Sequence, residues 1–182
     1  MTSERDRRRR FESIAEEVFE PLQRYLRRRI HPGQAEDVLS EVLMTVWRRV
    51  DDAPDGPALP WCYGIARHTL ANQRRGHRRH LRLIEKLEAE PSPREEPDPA
   101  ELGPDLELSA ALERLSDDDQ EVLRLWAWEQ LEPREIAPVL GVSVNAATLR
   151  LSRARTRLGE SLAGQVRGHA GHKDIEGTQE TR

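Results

Sequence analysis

Apolar residues return every three or four positions along most of this chain, the spacing that gives a helix one buried face. From Phe11 to Ile30 that face collects Phe11, Ile14, Val18, Leu22, Tyr25 and Leu26, and Pro21 is expected to kink the helix or begin a second segment. His31, Pro32 and Gly33 end it. From Ala35 to Val50, Val38, Val42, Val46 and Val50 form one row, with Leu39, Leu43 and Trp47 in the row beside it. A loop rich in Asp, Pro and Gly, Asp51 to Pro60, precedes a third helix that starts at Trp61 and runs into an arginine-rich stretch. Two further helices are expected at Leu106 to Leu115 and Asp117 to Gln130. Ser116 caps the second, and Asp117, Asp118 and Asp119 sit at the positive end of its dipole. The fold class is all-α, in two small helical domains.

The run Glu135 to Leu158 reads as two short helices broken at Gly141. Ile136, Val139 and Leu140 share a face of the first, and small Ala137 lets a second helix cross closely. Gly141 is suited to the left-handed conformation that ends a helix, and Ser143 to capping the next. On that second helix Ala147, Leu151, Ala154 and Leu158 form one buried stripe, which leaves Asn145, Thr148, Arg150, Ser152, Arg153, Arg155 and Arg157 facing out. These types bond base edges and phosphates, so the pair reads as a DNA-binding helix-turn-helix. A basic amphipathic helix on an ordinary helical protein is the plainer alternative.

Composition narrows the setting. With 182 residues, 36% hydrophobic and 34% charged, the chain can bury one or two small cores. A net charge of -4 argues against a uniformly basic nucleic-acid coat, yet the charge is segregated. Arg67 to Ile84 holds six arginines, three histidines and no acid; Glu85 to Glu107 holds nine acids against Lys86 and Arg94. Pro91, Pro93, Pro97, Pro99 and Pro104 make the acidic segment an extended linker and domain boundary. The expected division is a domain at 8–86, a linker at 87–105, a second domain at 106–163 and a frayed tail at 164–182. No apolar stretch approaches a membrane span or signal-peptide core, and a lone Cys62 excludes an intrachain disulfide. A cytoplasmic protein with a buried thiol is expected.

Two blocks carry a family resemblance. AEDVLSEVLMTVWRRV, Ala35 to Val50, followed by WCYGIARHTLANQRRGHRR, Trp61 to Arg79, resembles region 2 of bacterial sigma factors. LSDDDQEVLRLWAWEQLEPREIAPVLGVSVNAATLRLSRARTRL, from Leu115 to Leu158, resembles their region 4. In this order, with a short linker and no region 3, they look like the extracytoplasmic-function (ECF) subclass of the sigma-70 family. The resemblance covers about Phe11 to Leu162.

It implies core RNA polymerase and promoter DNA as partners and also admits an anti-sigma factor, which nothing in the chain identifies. Asp37, Ser40, Glu41, Met44 and Arg48 would contact polymerase. Arg67, His68, Asn72, Arg74, Arg75, Arg78 and Arg79 would line the melted downstream (−10) element, bordered by the loop Asp51 to Pro60. Extruding a base there costs a few kcal/mol, which single-strand binding must offset. Asn145, Thr148, Arg150, Arg153 and Arg155 would read the upstream (−35) element as duplex. His68 stands where relatives commonly carry Asn, Ser40 where Gln is common, and Thr148 and Leu149 where a Lys-Ser pair is frequent. The upstream sequence therefore does not transfer from relatives.

Trp47 and Trp61 are expected in the core; of Trp126 and Trp128, which cannot share a helix face, one is expected buried and the other at an interface. His77 and His80 lack further ligands at metal spacing, so no metal or cofactor is expected. Arg7 to Arg10 read as a solvated terminal arm. No phosphate-cradling Gly loop or nucleophile with a paired base is present, so catalysis is not expected of this chain. A two-domain helix-turn-helix regulator that senses or dimerises through its first half is the alternative function, although it needs no second arginine helix. Glu85 to Glu107 reaches at most roughly 75 Å extended and about 26 Å as a coil, against promoter elements on the order of 50–70 Å apart. The two domains are thus expected to move independently, or to fold together against a partner, and to be spread on polymerase.

Overall fold

The computed structural model describes residues 3–85 and 104–170, with side-chain surroundings for 3–76 and 108–163. Most of the linker and the tail from 171 onward therefore lie outside the described residues, as do the side chains of Arg78, Arg79, His77 and His80. The described elements are all helical. α1 spans Glu4–Arg27, α2 Pro32–Arg48, a 3-10 turn Val50–Asp52, α3 Leu59–Glu85, α4 Pro104–Glu113, α5 Asp117–Ala127, α6 Pro133–Leu140 and α7 Val144–Ala170.

α1 runs through Pro21 as one element rather than as two segments. Ile14 and Val18 before the proline, and Leu22, Tyr25 and Leu26 after it, are all buried, so packing on both sides offsets the lost backbone hydrogen bond. Of the arginines at its start, Arg8 and Arg9 are solvated as expected, whereas Arg7 and Arg10 are held. Arg7 pairs with Asp51 at 3.0 Å and Arg10 donates to the Ala53 carbonyl, so both fasten the loop after α2. His31 caps α2 by accepting from the Gly33 amide at 3.2 Å, with Pro32 in the first turn where no donor is needed. The valine row and Leu39 are buried as expected; Trp47 is half-buried, edge-on to Phe11 with ring centroids 5.4 Å apart, and Trp61 is half-buried too.

α3 holds the molecule together. Cys62, Tyr63, Gly64, Ile65 and Ala66 are buried in unbroken succession, which a helix achieves only when it is covered on all sides. α1 and α2 cover one side, and α6 covers another. At Gly64 the helices approach closely: a Cβ there would lie 3.6 Å from the Pro138 carbonyl oxygen and 3.8 Å from Val139 Cα. Tyr25, Tyr63 and Ile65 thus share one apolar cluster with Leu125, Ile136 and Val139. The two halves, expected to move independently or to close on a partner, are packed on each other within the chain itself. Apolar burial explains this, because separation would expose both faces to water.

In the second half, Ser116 caps α5 by accepting from the Asp119 amide at 3.2 Å. Glu132 and Glu135 form a capping box on α6, Gly141 ends it at φ +66°, and Ser143 accepts from the Ala146 amide at 3.2 Å to start α7. α7 continues to Ala170, so the segment from Gly164 read as a frayed tail begins as helix.

Candidate nucleic-acid interface

On α7, Ala147, Leu151 and Ala154 are buried and Leu158 is half-buried. At 100° per residue the opposite face is centred on Asn145, Leu149, Ser152, Arg153 and Thr156, all exposed. Of the expected reading residues, Asn145 and Arg153 occupy this centre, whereas Thr148, Arg150 and Arg155 flank it. The flanks are engaged within the protein. Arg150 lies 3.5 Å from Asp118, Arg155 stacks over Trp126 at 4.8 Å, and the Thr148 hydroxyl donates to the Val144 carbonyl at 2.9 Å. Arg157 pairs with Asp119, which is itself buried. Leu149, which residue type alone does not place in the outward set, shares this face by its spacing from Asn145 and Ser152.

The basic stretch of α3 forms a second face. His68, Asn72, Arg74 and Arg75 are exposed, and the Asn72 side chain accepts from Arg75. Arg67 is half-buried and donates to Asp118 at 3.3 Å. One carboxylate on α5 therefore takes an arginine from each basic helix. These arginines border a cleft of about 530 Å³ between α3 and α5, whose lining also includes Tyr25, Arg29 and Arg124. Desolvation lowers the Arg124 pKa from its ordinary value.

A third surface lies on α2. Asp37, Ser40, Glu41, Met44 and Arg48 are exposed along one stripe, Met44 at 62%. Glu41 accepts from the Gln73 amide at 3.4 Å, and the Arg48 Nε donates to the Met44 carbonyl at 3.3 Å. These contacts orient the stripe without burying it.

Between the halves lies a polar network that the sequence did not announce. Arg29 donates to Glu121 at 3.2 Å and to Glu129 at 3.0 Å, and its guanidinium stacks 3.5 Å from the centroid of the Tyr25 ring. The Tyr25 hydroxyl donates to Glu121 at 2.9 Å. Burial raises the pKa of Tyr25 and of Tyr63, keeping both hydroxyls as neutral donors, and Tyr63 also bonds Glu129. Burial opposes the charge on Arg29, yet Tyr25 and the two glutamates raise its pKa overall. Neither Trp126 nor Trp128 is buried, at 40% and 39% exposed, against the expectation for one of them. Each lies beneath an arginine instead, Trp126 under Arg155 and Trp128 under Arg28, because α5 ends there and leaves both at its rim.

A sigma-70 region 2 profile matches residues 14–80, and a sigma-70 region 4 profile matches residues 105–158. The chain belongs to the sigma-70 family. Its pairing of region 2 with region 4 is that of the ECF subclass. The probable RNA polymerase sigma factor RfaY of Xanthomonas campestris pv. campestris is 32% identical over 139 residues, 70% of this chain. This chain covers only 34% of that protein's length. RNA polymerase sigma factor SigZ of Bacillus subtilis is 25% identical over 155 residues, covering 84% of this chain and 87% of SigZ. In fold, the chain is similar to the sigma factor RpoE from Bartonella quintana in complex with the anti-sigma factor NepR. The TM-score is 0.61 at 24% identity, over 84% of this chain and 96% of that one. CnrH in complex with the cytosolic domain of CnrY gives a TM-score of 0.58 at 23% identity, over 85% and 88% of the respective chains.

In this sigma-70 family chain the α2 stripe and the α3 basic face lie within region 2, and the first half of α7 lies within region 4. Asp118 of region 4 bridges the two basic faces, pairing with Arg67 of α3 and Arg150 of α7. Among the described residues no helix is long and apolar enough to cross a membrane, and no cluster of His, Cys, Asp and Glu could hold a metal ion.

Proposed function

We propose that this chain directs promoter-specific initiation as an ECF-type sigma subunit, with catalysis left to core RNA polymerase. The observation that carries the reading is the presence of two separate basic helical faces, on α3 and α7, beside an uncovered polar stripe on α2. Asp37, Ser40, Glu41, Met44 and Arg48 dock on the polymerase. His68, Asn72, Arg74 and Arg75, continued by Arg78 and Arg79, hold the melted downstream strand through its phosphates. Asn145 and Arg153 read the upstream duplex from the centre of α7, and Thr148, Arg150 and Arg155 position it from the flanks. A domain division at 8–86 and 106–163 goes with this allocation of surfaces, and a cytoplasmic location suits it.

The packed form is a resting state in this reading. Arg67 and Arg150 stand within 3.5 Å of the same carboxylate, whereas the elements they serve lie on the order of 50–70 Å apart. Region 4 must therefore leave α3 before both elements are read. An anti-sigma partner, as held by the Bartonella protein of similar fold, belongs with this reading. Run-off transcription on genomic promoters, with purified core polymerase and with or without the chain, tests it. New promoter-specific transcripts are expected only when the chain is present; their absence would leave the helix-turn-helix regulator.

A further inference from the structure

We propose that Leu149 reads thymine methyl groups in the upstream element, so that an apolar contact lies at the centre of this chain's promoter choice. The proposal rests on the assignment of α7 to that element. Leu149 is 50% exposed, directly opposite the buried stripe of Ala147, Leu151 and Ala154. Around it the surface is made to meet DNA: Asn145 and Arg153 lie on either side, and Arg150 and Arg155 stand at the flanks. Half of its surface is left open to solvent. Ala146, also exposed and one turn earlier, extends the apolar strip toward the start of the helix.

In a major groove the base edges offer hydrogen-bond donors, acceptors and one apolar feature, the C5 methyl of thymine. A leucine can neither donate nor accept a hydrogen bond there, so among base edges the methyl is the partner it matches. Leu149 sits in the second turn of α7, within the N-terminal part of a recognition helix that meets base edges. Asn145 is suited to a neighbouring adenine and Arg153 to a guanine, so the strip between them specifies thymine on one strand or the other. Basic neighbours favour DNA over an apolar protein groove as the occupant of this face.

The test uses holoenzyme assembled from core polymerase and the full chain. An upstream element is first selected from a randomised promoter library, and each of its thymines is then replaced by deoxyuracil, which keeps every hydrogen bond and lacks only the methyl. With the natural chain, at least one replacement is expected to weaken binding about fourfold, the worth of roughly one buried methyl. In Leu149→Ala and Leu149→Ser the same replacement should cost almost nothing, while Arg153→Ala, which leaves Leu149 in place, should retain the penalty. A uracil penalty unchanged in both Leu149 variants overturns the proposal, as does an element whose binding never depends on a methyl. A lower yield of holoenzyme in the Leu149 variants, with the methyl dependence of the assembled fraction intact, would make the residue a protein contact and also overturn it. Should the holoenzyme select no upstream element at all, the sigma assignment itself fails, which separates that outcome from the others.

Discussion

Arg29 and Glu129 meet at 3.0 Å across the boundary between the two halves, with their side chains only 2% and 3% exposed. They are 100 positions apart in the chain. A charge so buried is tolerable only while it is paired, and removing one partner costs about 3–5 kcal/mol. Arg29→Leu leaves Glu121 without the guanidinium it shares with Glu129, and leaves Glu129 only the half-exposed Arg28 at 3.4 Å. The expected result is a lower melting temperature and a larger radius of gyration by small-angle scattering, from loosened packing between the halves. An unchanged radius with unchanged melting would show that apolar contact alone closes the molecule.

Asp118 has the opposite character, being 54% exposed and shared between Arg67 and Arg150. Exposed pairs contribute less than about 1 kcal/mol, so Asp118→Asn should scarcely alter stability. It frees two arginines for phosphate, and affinity for duplex DNA at low salt is expected to rise about threefold. Titration by fluorescence anisotropy at two salt concentrations measures this directly.

The α2 stripe folds without its charged members. Asp37→Arg combined with Glu41→Arg is expected to abolish co-purification with core polymerase while leaving the melting temperature within about 2 °C, since surface substitutions of this kind stay within about 0.5 kcal/mol. Retained polymerase binding would remove this face from the assignment.

Cys62 is wholly buried, and burial together with Glu17 pushes its thiol up from the ordinary 9.0 to about 12. The folded state therefore holds this proton more tightly than the unfolded chain does. That contribution is complete below pH 9 and is lost progressively as pH rises toward 12. Tyr25 and Tyr63, both raised mainly by burial, add to the same alkaline loss. Chemical denaturation between neutral and alkaline pH should show falling stability, with a shallower fall in Cys62→Ala. A thiol reagent at pH 8 should label Cys62 only after denaturant is added.

Much of the architecture was legible because it is local. The valine row of α2, the Ser116 and Ser143 caps and the left-handed Gly141 each follow from a few adjacent residues, and each stands as read. The packing of the halves is not legible from one apolar face per helix, because α3 has two. The run Cys62 to Ala66 carries the available signal, since it has no charged side chain to place in water. Arg29 gave no such signal; its partners Glu121 and Glu129 are distant in sequence and ordinary in type. At the site, counting arginines favoured Arg150, whereas angle around the helix axis puts it on a flank and Leu149 at the centre.

The continuous burial of Cys62 to Ala66 in α3 also gives closure a temperature dependence. Parting the halves transfers the faces around Gly64, Ile136 and Val139 into water, and exposing apolar surface raises the heat capacity. A latch made of ions alone would lack that signature. The apolar share of the closure instead weakens on cooling, so the balance between the packed chain and a partner that holds it apart shifts with the temperature of the cell.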